Sequence, residues 1–182
     1  NLNVSYSLPR FSRDSSRIAM VSVERLPDTT QKPNSRVQVA ESDTIKDIFS
    51  TTDFLRLFGW ASGSEVIFAT TIQQIAATPL NLDIVVAPLN GASRKLVTLE
   101  NVYPRTLIIS PDGKTLAFTK RTDGRDNIWT LPLTGGAVPR KVTDNPNSTQ
   151  FLTNLAFSAN GKTIYFDRQD EINTISMFEN FD

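Results

Sequence analysis

Two arginines at matching positions are the side chains whose type and spacing best suit ligand binding. Arg56 and Arg105 each lie five residues before the end of a predicted strand, counted to Ala61 and Ser110. In a repeat-built fold this spacing places both guanidinium groups at one mouth of a central channel. There they can bind an anionic group, such as the carboxylate terminus of a partner peptide. Ordinary solvated charge is the competing interpretation, and the sequence leaves both open.

A charged loop adds to this candidate surface. The segment 121–126 holds two carboxylates and a glycine, a composition that suits a cation such as Ca²⁺. Calcium takes about six to eight oxygen ligands, however, and the segment lacks the Asp-x-Asp-x-Asp-Gly spacing of a dedicated calcium loop. We therefore predict no metal here. The predicted binding surface consists of Arg56, Arg105, Arg121, Asp123, Arg125 and Asp126.

The composition argues against catalysis by this chain. Its 182 residues include no histidine and no cysteine, which excludes Ser-His-Asp and Cys-His nucleophile arrangements and zinc sites built on those ligands. We assign no catalytic residue and expect neither enzyme activity nor a cofactor; a Ser-Lys or metal-assisted site is the remaining alternative. Nineteen basic residues balance nineteen acidic ones, which offers no case for nucleic acid. No apolar run approaches the roughly 18 residues that membrane insertion requires.

A recurring turn motif predicts the elements that position these residues. In the stretch 110–118, Ser-Pro-Asp-Gly has the composition of a tight turn, and the alternation after it favours a strand. Related stretches occupy 11–20, 60–68 and 157–166. Their closing residues, Met20, Phe68, Phe118 and Phe166, are separated by 48, 50 and 48 residues. A period of about 40–50 residues with several short strands is typical of a β-propeller.

The chain 1–182 is therefore predicted to be an all-β, partial or small propeller of four-stranded antiparallel blades. Its repeats span about 8–54, 55–104, 105–151 and 152–182. The third repeat, for example, has predicted strands at 106–109, 115–120, 127–133 and 140–143. The last repeat stops after a third strand at 171–177, and Asn1–Ser7 is the candidate to supply its fourth.

The motif also predicts the core. Large residues after the turn should be buried between blades, and both tryptophans should pack there too. These residues are Leu116, Phe118, Ile164, Phe166, Trp60 and Trp129.

The third repeat resembles one full repeat of the TolB-like β-propeller family, a WD-like repeat. The residues that carry the resemblance are Ser110–Phe118, Arg121–Gly124, Asn127–Trp129, Gly135–Gly136 and Arg140–Asn145. The resemblance is close in the third and fourth repeats and looser in the first two. It implies a propeller fold and no particular reaction, because such repeats occur in periplasmic TolB, in extracytoplasmic parts of signalling proteins and beside peptidase domains.

The number of blades leaves three interpretations. Four repeats with open outer faces expose strand edges and apolar sheet surface. Three arrangements would cover these surfaces. A longer parent chain could hold further blades, two copies could associate through open blade edges, or the chain could form a small closed propeller. The N-terminus has no initiator methionine, which favours the first interpretation.

The function expected from these features is a non-catalytic scaffold that binds a protein or peptide partner, periplasmic or extracellular in location. The alternatives are the propeller portion of a peptidase or lyase whose catalytic residues lie elsewhere, and a sensor domain of a membrane-bound kinase or transcription regulator. Neither nucleic acid nor membrane insertion is expected. The binding face should be the one that carries the connections 23–35, 71–81 and 121–126, which vary most in length among the repeats.

Overall fold

A computed structural model of the protein describes residues 3–28, 30–61, 64–72 and 78–170. Regular structure in these residues is almost entirely β-strand. The strands are β1 (Asn3–Phe11), β2 (Arg17–Arg25), β3 (Asn34–Glu41), β4 (Thr44–Thr51), β5 (Phe54–Trp60), β6 (Glu65–Thr71), β7 (Leu80–Pro88), β8 (Arg94–Val102), β9 (Ile108–Ile109), β10 (Thr115–Thr122), β11 (Arg125–Pro132), β12 (Arg140–Lys141), β13 (Gln150–Phe157) and β14 (Ile164–Asp170). A single 3-10 turn, Pro104–Thr106, precedes β9. Among the described residues, no helix is long and apolar enough to cross a membrane.

Antiparallel sheets follow one another in chain order. β1 to β4 form the first sheet, β5 to β8 the second and β9 to β12 the third, while β13 and β14 pair as the start of a fourth. The prediction of an all-β chain with antiparallel four-stranded units is thereby confirmed. The predicted third strand of the last repeat, 171–177, lies outside the described residues, as does most of the connection 71–81.

The second and third sheets are joined at one point that the repeat pattern did not predict. Val102, the last residue of β8, pairs with Lys120 on β10. The cause lies in the inner strand of the third sheet, where Pro104 lacks an N–H group and opens a 3-10 turn. The predicted strand at 106–109 is thereby reduced to Ile108–Ile109, and the edge of β10 left beyond it pairs with β8.

The first strand completes its own sheet. Asn3–Ser7 pairs with Val21–Arg25 in β2. The prediction that Asn1–Ser7 supplies a strand to the last repeat is therefore wrong for residues 3–7. The reason is that β2 continues to Arg25 and offers β1 a partner along almost its whole length.

The turn motif is held by the same side-chain hydrogen bonds in three repeats. The Ser110 hydroxyl donates to the Asp112 carboxylate at 2.6 Å, and the same carboxylate oxygen accepts the N–H of Lys114 at 3.1 Å. These bonds, that of Ser110 foremost, hold the pKa of Asp112 below its ordinary value. The corresponding pairs are Ser12 with Asp14 at 2.7 Å and Ser158 with Asn160 at 2.8 Å. The motif therefore serves the fold, as a turn should.

Apolar side chains fill the space between successive sheets. On β6, Val66 and Phe68 pack toward the first sheet, whereas Ile67 packs toward the third, and all three are fully buried. Trp60 belongs to the core between the first two sheets, and Trp129 packs against the core between the second and third. The prediction that both tryptophans pack between blades is confirmed.

The strand after the turn motif is buried in the third repeat and open in the fourth. Leu116 and Phe118 are fully buried between the second and third sheets, as predicted. Ile164 packs against the small core beside the fourth sheet, but Phe166 is 41% exposed, so the prediction of its burial is wrong. Phe166 lines an open cavity with residues 143–147, the segment that follows the short strand β12.

Candidate functional site

The first strand of each sheet forms an inner row. β1 contacts β5, β5 contacts β9, and β9 contacts β13. Arg56 lies near the start of β5, where it pairs with Ala69 on β6, and Arg105 lies in the 3-10 turn before β9. Both predicted arginines thus lie where an inner strand begins. Because strands alternate in direction, this end of the sheets also carries the connections after β2, β6 and β10.

Arg56 lies close enough to Arg10 and to Arg105 for both charges to act on it, and we call Arg10, Arg56 and Arg105 the arginine cluster. Burial lowers the pKa of Arg56, and the charges of Arg10 and Arg105 lower it further. Within the part of the chain that the structure describes, none of the three forms an ion pair with a carboxylate. Like charges are therefore held together here without compensation by the described residues.

Arg56 is the least solvated member of the cluster. Its side chain is partly buried, and its Nε atom is buried without a hydrogen-bond partner. Arg10 is better satisfied, because its Nε donates to the carbonyl of Phe58 at 3.2 Å. Arg105 is exposed. A buried donor without a partner costs free energy, so Arg56 is the position where an external acceptor has most to contribute.

A cavity of about 180 Å³ opens beside Arg105 between the third and fourth sheets. Its lining residues are Tyr103, Arg105, Thr106, Thr153 and Asn154. Thr153 lies five residues before Ser158, so it occupies in the fourth repeat the position that Arg56 and Arg105 occupy in theirs. Its hydroxyl oxygen is buried and has no partner among the described residues.

Arg121 and Asp126, two more of the predicted site residues, bind each other. Arg121 donates to the Asp126 carboxylate at 2.9 Å, and only 1% of the Asp126 side chain is exposed. The same carboxylate accepts the Tyr103 hydroxyl at 3.2 Å and the N–H of Leu152 at 3.3 Å. Arg121 also lies over the ring of Phe151, 5.2 Å from its centroid. This pair therefore ties β10 and β11 to β13 and supports the Tyr103 wall of the cavity.

Asp123 and Arg125 lie at the tip of the β10–β11 hairpin and are exposed. Asp123 has φ 50° and Gly124 has φ 72°, the conformation of a two-residue hairpin turn. The structure thus brings Arg56 and Arg105 together, pairs Arg121 with Asp126, and leaves Asp123 and Arg125 in solvent. For these last two residues, binding stays a prediction.

Arg10 is a member of the cluster that repeat alignment did not identify. It lies two residues before Ser12, whereas Arg56 and Arg105 lie five residues before the corresponding positions. Register shifts interrupt β1, β5 and β13 at equivalent positions, and in β1 the shift falls between Ser7 and Arg10, with Leu8 at φ 56°. A non-glycine residue in that conformation leaves no reliable mark in a sequence.

A second cavity, of about 470 Å³, lies at the opposite end of the strands among the turns 12–17 and 111–114. Its charges are mixed, with Arg13, Arg17 and Lys114 beside Asp14 and Asp112. Arg17 already pairs with Glu41 at 2.9 Å, and both aspartates bind their own turns. Among the described residues, no group of three or more carboxylate, histidine or cysteine ligands is placed to hold a metal ion.

Comparison with known proteins identifies solved structures that have a similar fold. No protein-family model matches the chain, and no curated protein sequence matches it. TolB from Acinetobacter baumannii matches with a TM-score of 0.59 and 19% identity over 89% of this chain and 37% of its own. A putative TolB from Agrobacterium tumefaciens matches with a TM-score of 0.54 and 15% identity over 91% of this chain and 70% of its own.

A similar fold occurs in a peptidase. Oligopeptidase B from Leishmania major matches with a TM-score of 0.52 and 15% identity, over 82% of this chain and 21% of its own. This chain thus spans 37% of the Acinetobacter TolB and a smaller share of the peptidase. At such identities a match carries the fold alone. The fold of the chain is therefore that of a TolB-type β-propeller, as the repeat pattern predicted.

Proposed function

We propose that the chain is a non-catalytic propeller module that binds a protein or peptide partner through an anionic group at the arginine cluster. The observation that carries this proposal is Arg56, a partly buried cation beside two others, with an unpartnered Nε and no carboxylate among the described residues to compensate it. A solvated surface arginine would be exposed, and a structural one would be paired, as Arg121 is with Asp126. A binding role accounts for an arginine that is neither.

The chemistry of the cluster selects the class of partner. Guanidinium groups are planar donors that match carboxylates, and charged hydrogen bonds of this kind strengthen where water is partly excluded. Binding of an anion offsets the repulsion that Arg10 and Arg105 exert on Arg56, which adds to the driving force. The connections at the same end of the sheets then supply the contacts that decide which peptide binds.

The double substitution Arg56→Ala/Arg105→Ala should weaken binding of an anionic peptide by about 3 kcal/mol or more, roughly 100-fold, if each arginine makes one charged hydrogen bond. The test is an array of random decapeptides anchored through their N-termini, followed by affinity measurements on the peptides that bind. The matched control is Arg13→Ala/Arg140→Ala, which removes the same charge from two exposed positions outside the cluster. An array without any binding peptide, or equal losses in both double variants, would contradict the proposal.

The second candidate function is the propeller portion of a peptidase, and the structural likeness to oligopeptidase B supports it. In that case too, this chain would supply the scaffold and not the reaction. We expect the purified chain to hydrolyse neither peptide nor ester substrates, because it has no histidine or cysteine to serve as base or nucleophile. Turnover that a single point substitution abolishes would refute this expectation.

A further inference from the structure

We infer that the anionic group bound at the arginine cluster is a free C-terminal carboxylate, and that the last residue of the partner peptide occupies the cavity beside Arg105. This inference rests on the proposed function and specifies its ligand. It follows from three properties of the cavity: its size, the polar groups in its lining that remain uncommitted, and its place beside the cluster.

The size of the cavity suits one residue and not a continuous chain. Its volume of about 180 Å³ lies well below the roughly 300–1,000 Å³ of sites that enclose whole small molecules. At about 30 Å³ for each water molecule in the liquid, it has room for around six waters. A group of that size is a terminal residue or a single side chain, with the rest of the peptide lying outside along the inner strands.

Two hydroxyl groups in the lining are already committed. The Thr106 hydroxyl donates to the carbonyl of Tyr103 at 2.9 Å and accepts the N–H of Thr119 at 2.9 Å. The Tyr103 hydroxyl donates to Asp126. Neither group is therefore left to recognise a ligand.

Three polar groups of the lining have no partner among the described residues, and together they match the end of a peptide. They are the Arg105 guanidinium, the buried Thr153 hydroxyl and the carbonyl oxygen of the Asn154 amide, whose NH₂ donates to Asp167 at 2.7 Å. The first is a fork of donors, while the other two can accept an N–H. A terminal residue carries a carboxylate and an amide N–H on the same α-carbon, so it satisfies donors and acceptors at once. An inorganic phosphate or free carboxylate anion offers no N–H to these acceptors.

The other arginines assist without entering the cavity. Arg56 and Arg105 both lie at the starts of inner strands, and Arg56 feels the charge of Arg105. The terminal carboxylate therefore meets the field of more than one cation. Preceding residues of the peptide are left beside β5 and β1, where Arg56 and Arg10 favour further acidic groups.

The test compares each binding peptide as the free acid and as the C-terminal amide, with fluorescein at the N-terminus and fluorescence polarisation as the readout. Amidation should weaken binding by roughly 10- to 100-fold, the range for a hydrogen bond to a charged group. In Arg105→Ala the free acid and the amide should bind equally. Thr153→Val should weaken the free acid by about 3- to 10-fold, the range for a neutral hydrogen bond.

Thr163→Val is the matched control, because Thr163 is an exposed threonine on the turn before β14, and it should change neither affinity. Thermal unfolding of each variant shows whether the fold is kept. Equal binding of acid and amide, with loss in Arg56→Ala/Arg105→Ala, would overturn this inference and leave the proposed function standing. Displacement of the free acid by millimolar phosphate but not by acetate would overturn it in favour of a phosphorylated group. If no peptide binds in either form, the proposed function fails as well.

Discussion

Replacing Phe118 by alanine is expected to lower the free energy of unfolding by about 3–5 kcal/mol, the range for a fully buried phenylalanine. Phe118 has no exposed surface and lies on β10 in the core between the second and third sheets. Its neighbours come from two sheets, so the cavity left behind could close only if both backbones moved. The loss should appear as a lower denaturation midpoint in urea, with little change in the dependence on denaturant.

Phe166 provides the matched control. It occupies the same position of the turn motif one repeat later, yet it is 41% exposed. We expect Phe166→Ala to cost about 1–2 kcal/mol, less than Phe118→Ala, because only part of the Phe166 ring is buried. Similar losses at both positions would show that the fourth sheet is covered as the third is. A small loss at Phe118 would show that β10 does not separate two sheets.

These two phenylalanines also show what the sequence could predict. Period and alternation predicted the propeller, the turns and the inward side of β10, because they depend on neighbours along the chain. The surroundings of Phe166 include residues 143–147, which follow β12 and belong to another repeat. A closely similar local pattern therefore has different surroundings in two repeats.

The candidate site divides in the same way. Equal spacing before the turn motif was enough to place Arg56 and Arg105 together. Arg10 lies three residues further along its repeat, and its side chain reaches the carbonyl of Phe58 on β5, so a comparison of one position in each repeat did not include it. Charge alone also could not separate a binding arginine from a structural one. Arg121 forms an ion pair with Asp126, whereas Arg56 has no such partner among the described residues. That distinction required the three-dimensional contacts.

Replacing Asp126 by alanine is expected to lower the free energy of unfolding by about 3–5 kcal/mol, as removal of one partner from a buried ion pair does. The Asp126 carboxylate accepts hydrogen bonds from Arg121, Tyr103 and the N–H of Leu152, and it is almost completely buried. Its loss leaves a buried N–H on β13 without an acceptor. The value should fall at the lower end of the range, because 27% of the Arg121 side chain is exposed and water can solvate part of the freed charge.

Asp123→Asn is the control within the same hairpin, because asparagine also tolerates the φ of 50° that this turn position has. Asp123 is exposed, and it carries the same charge three residues away. Removal of its charge should change the free energy of unfolding by less than about 1 kcal/mol, which is typical of an exposed position whose backbone conformation is kept. Because Asp126 also holds Tyr103, the cavity beside Arg105 should lose a wall in Asp126→Ala, so peptide affinity should fall even under conditions where the variant remains folded. Asp126→Ala with wild-type stability would show that the pair with Arg121 forms no part of the folded core. Unchanged stability together with weaker peptide binding would show that Asp126 acts in binding, as the sequence analysis predicted.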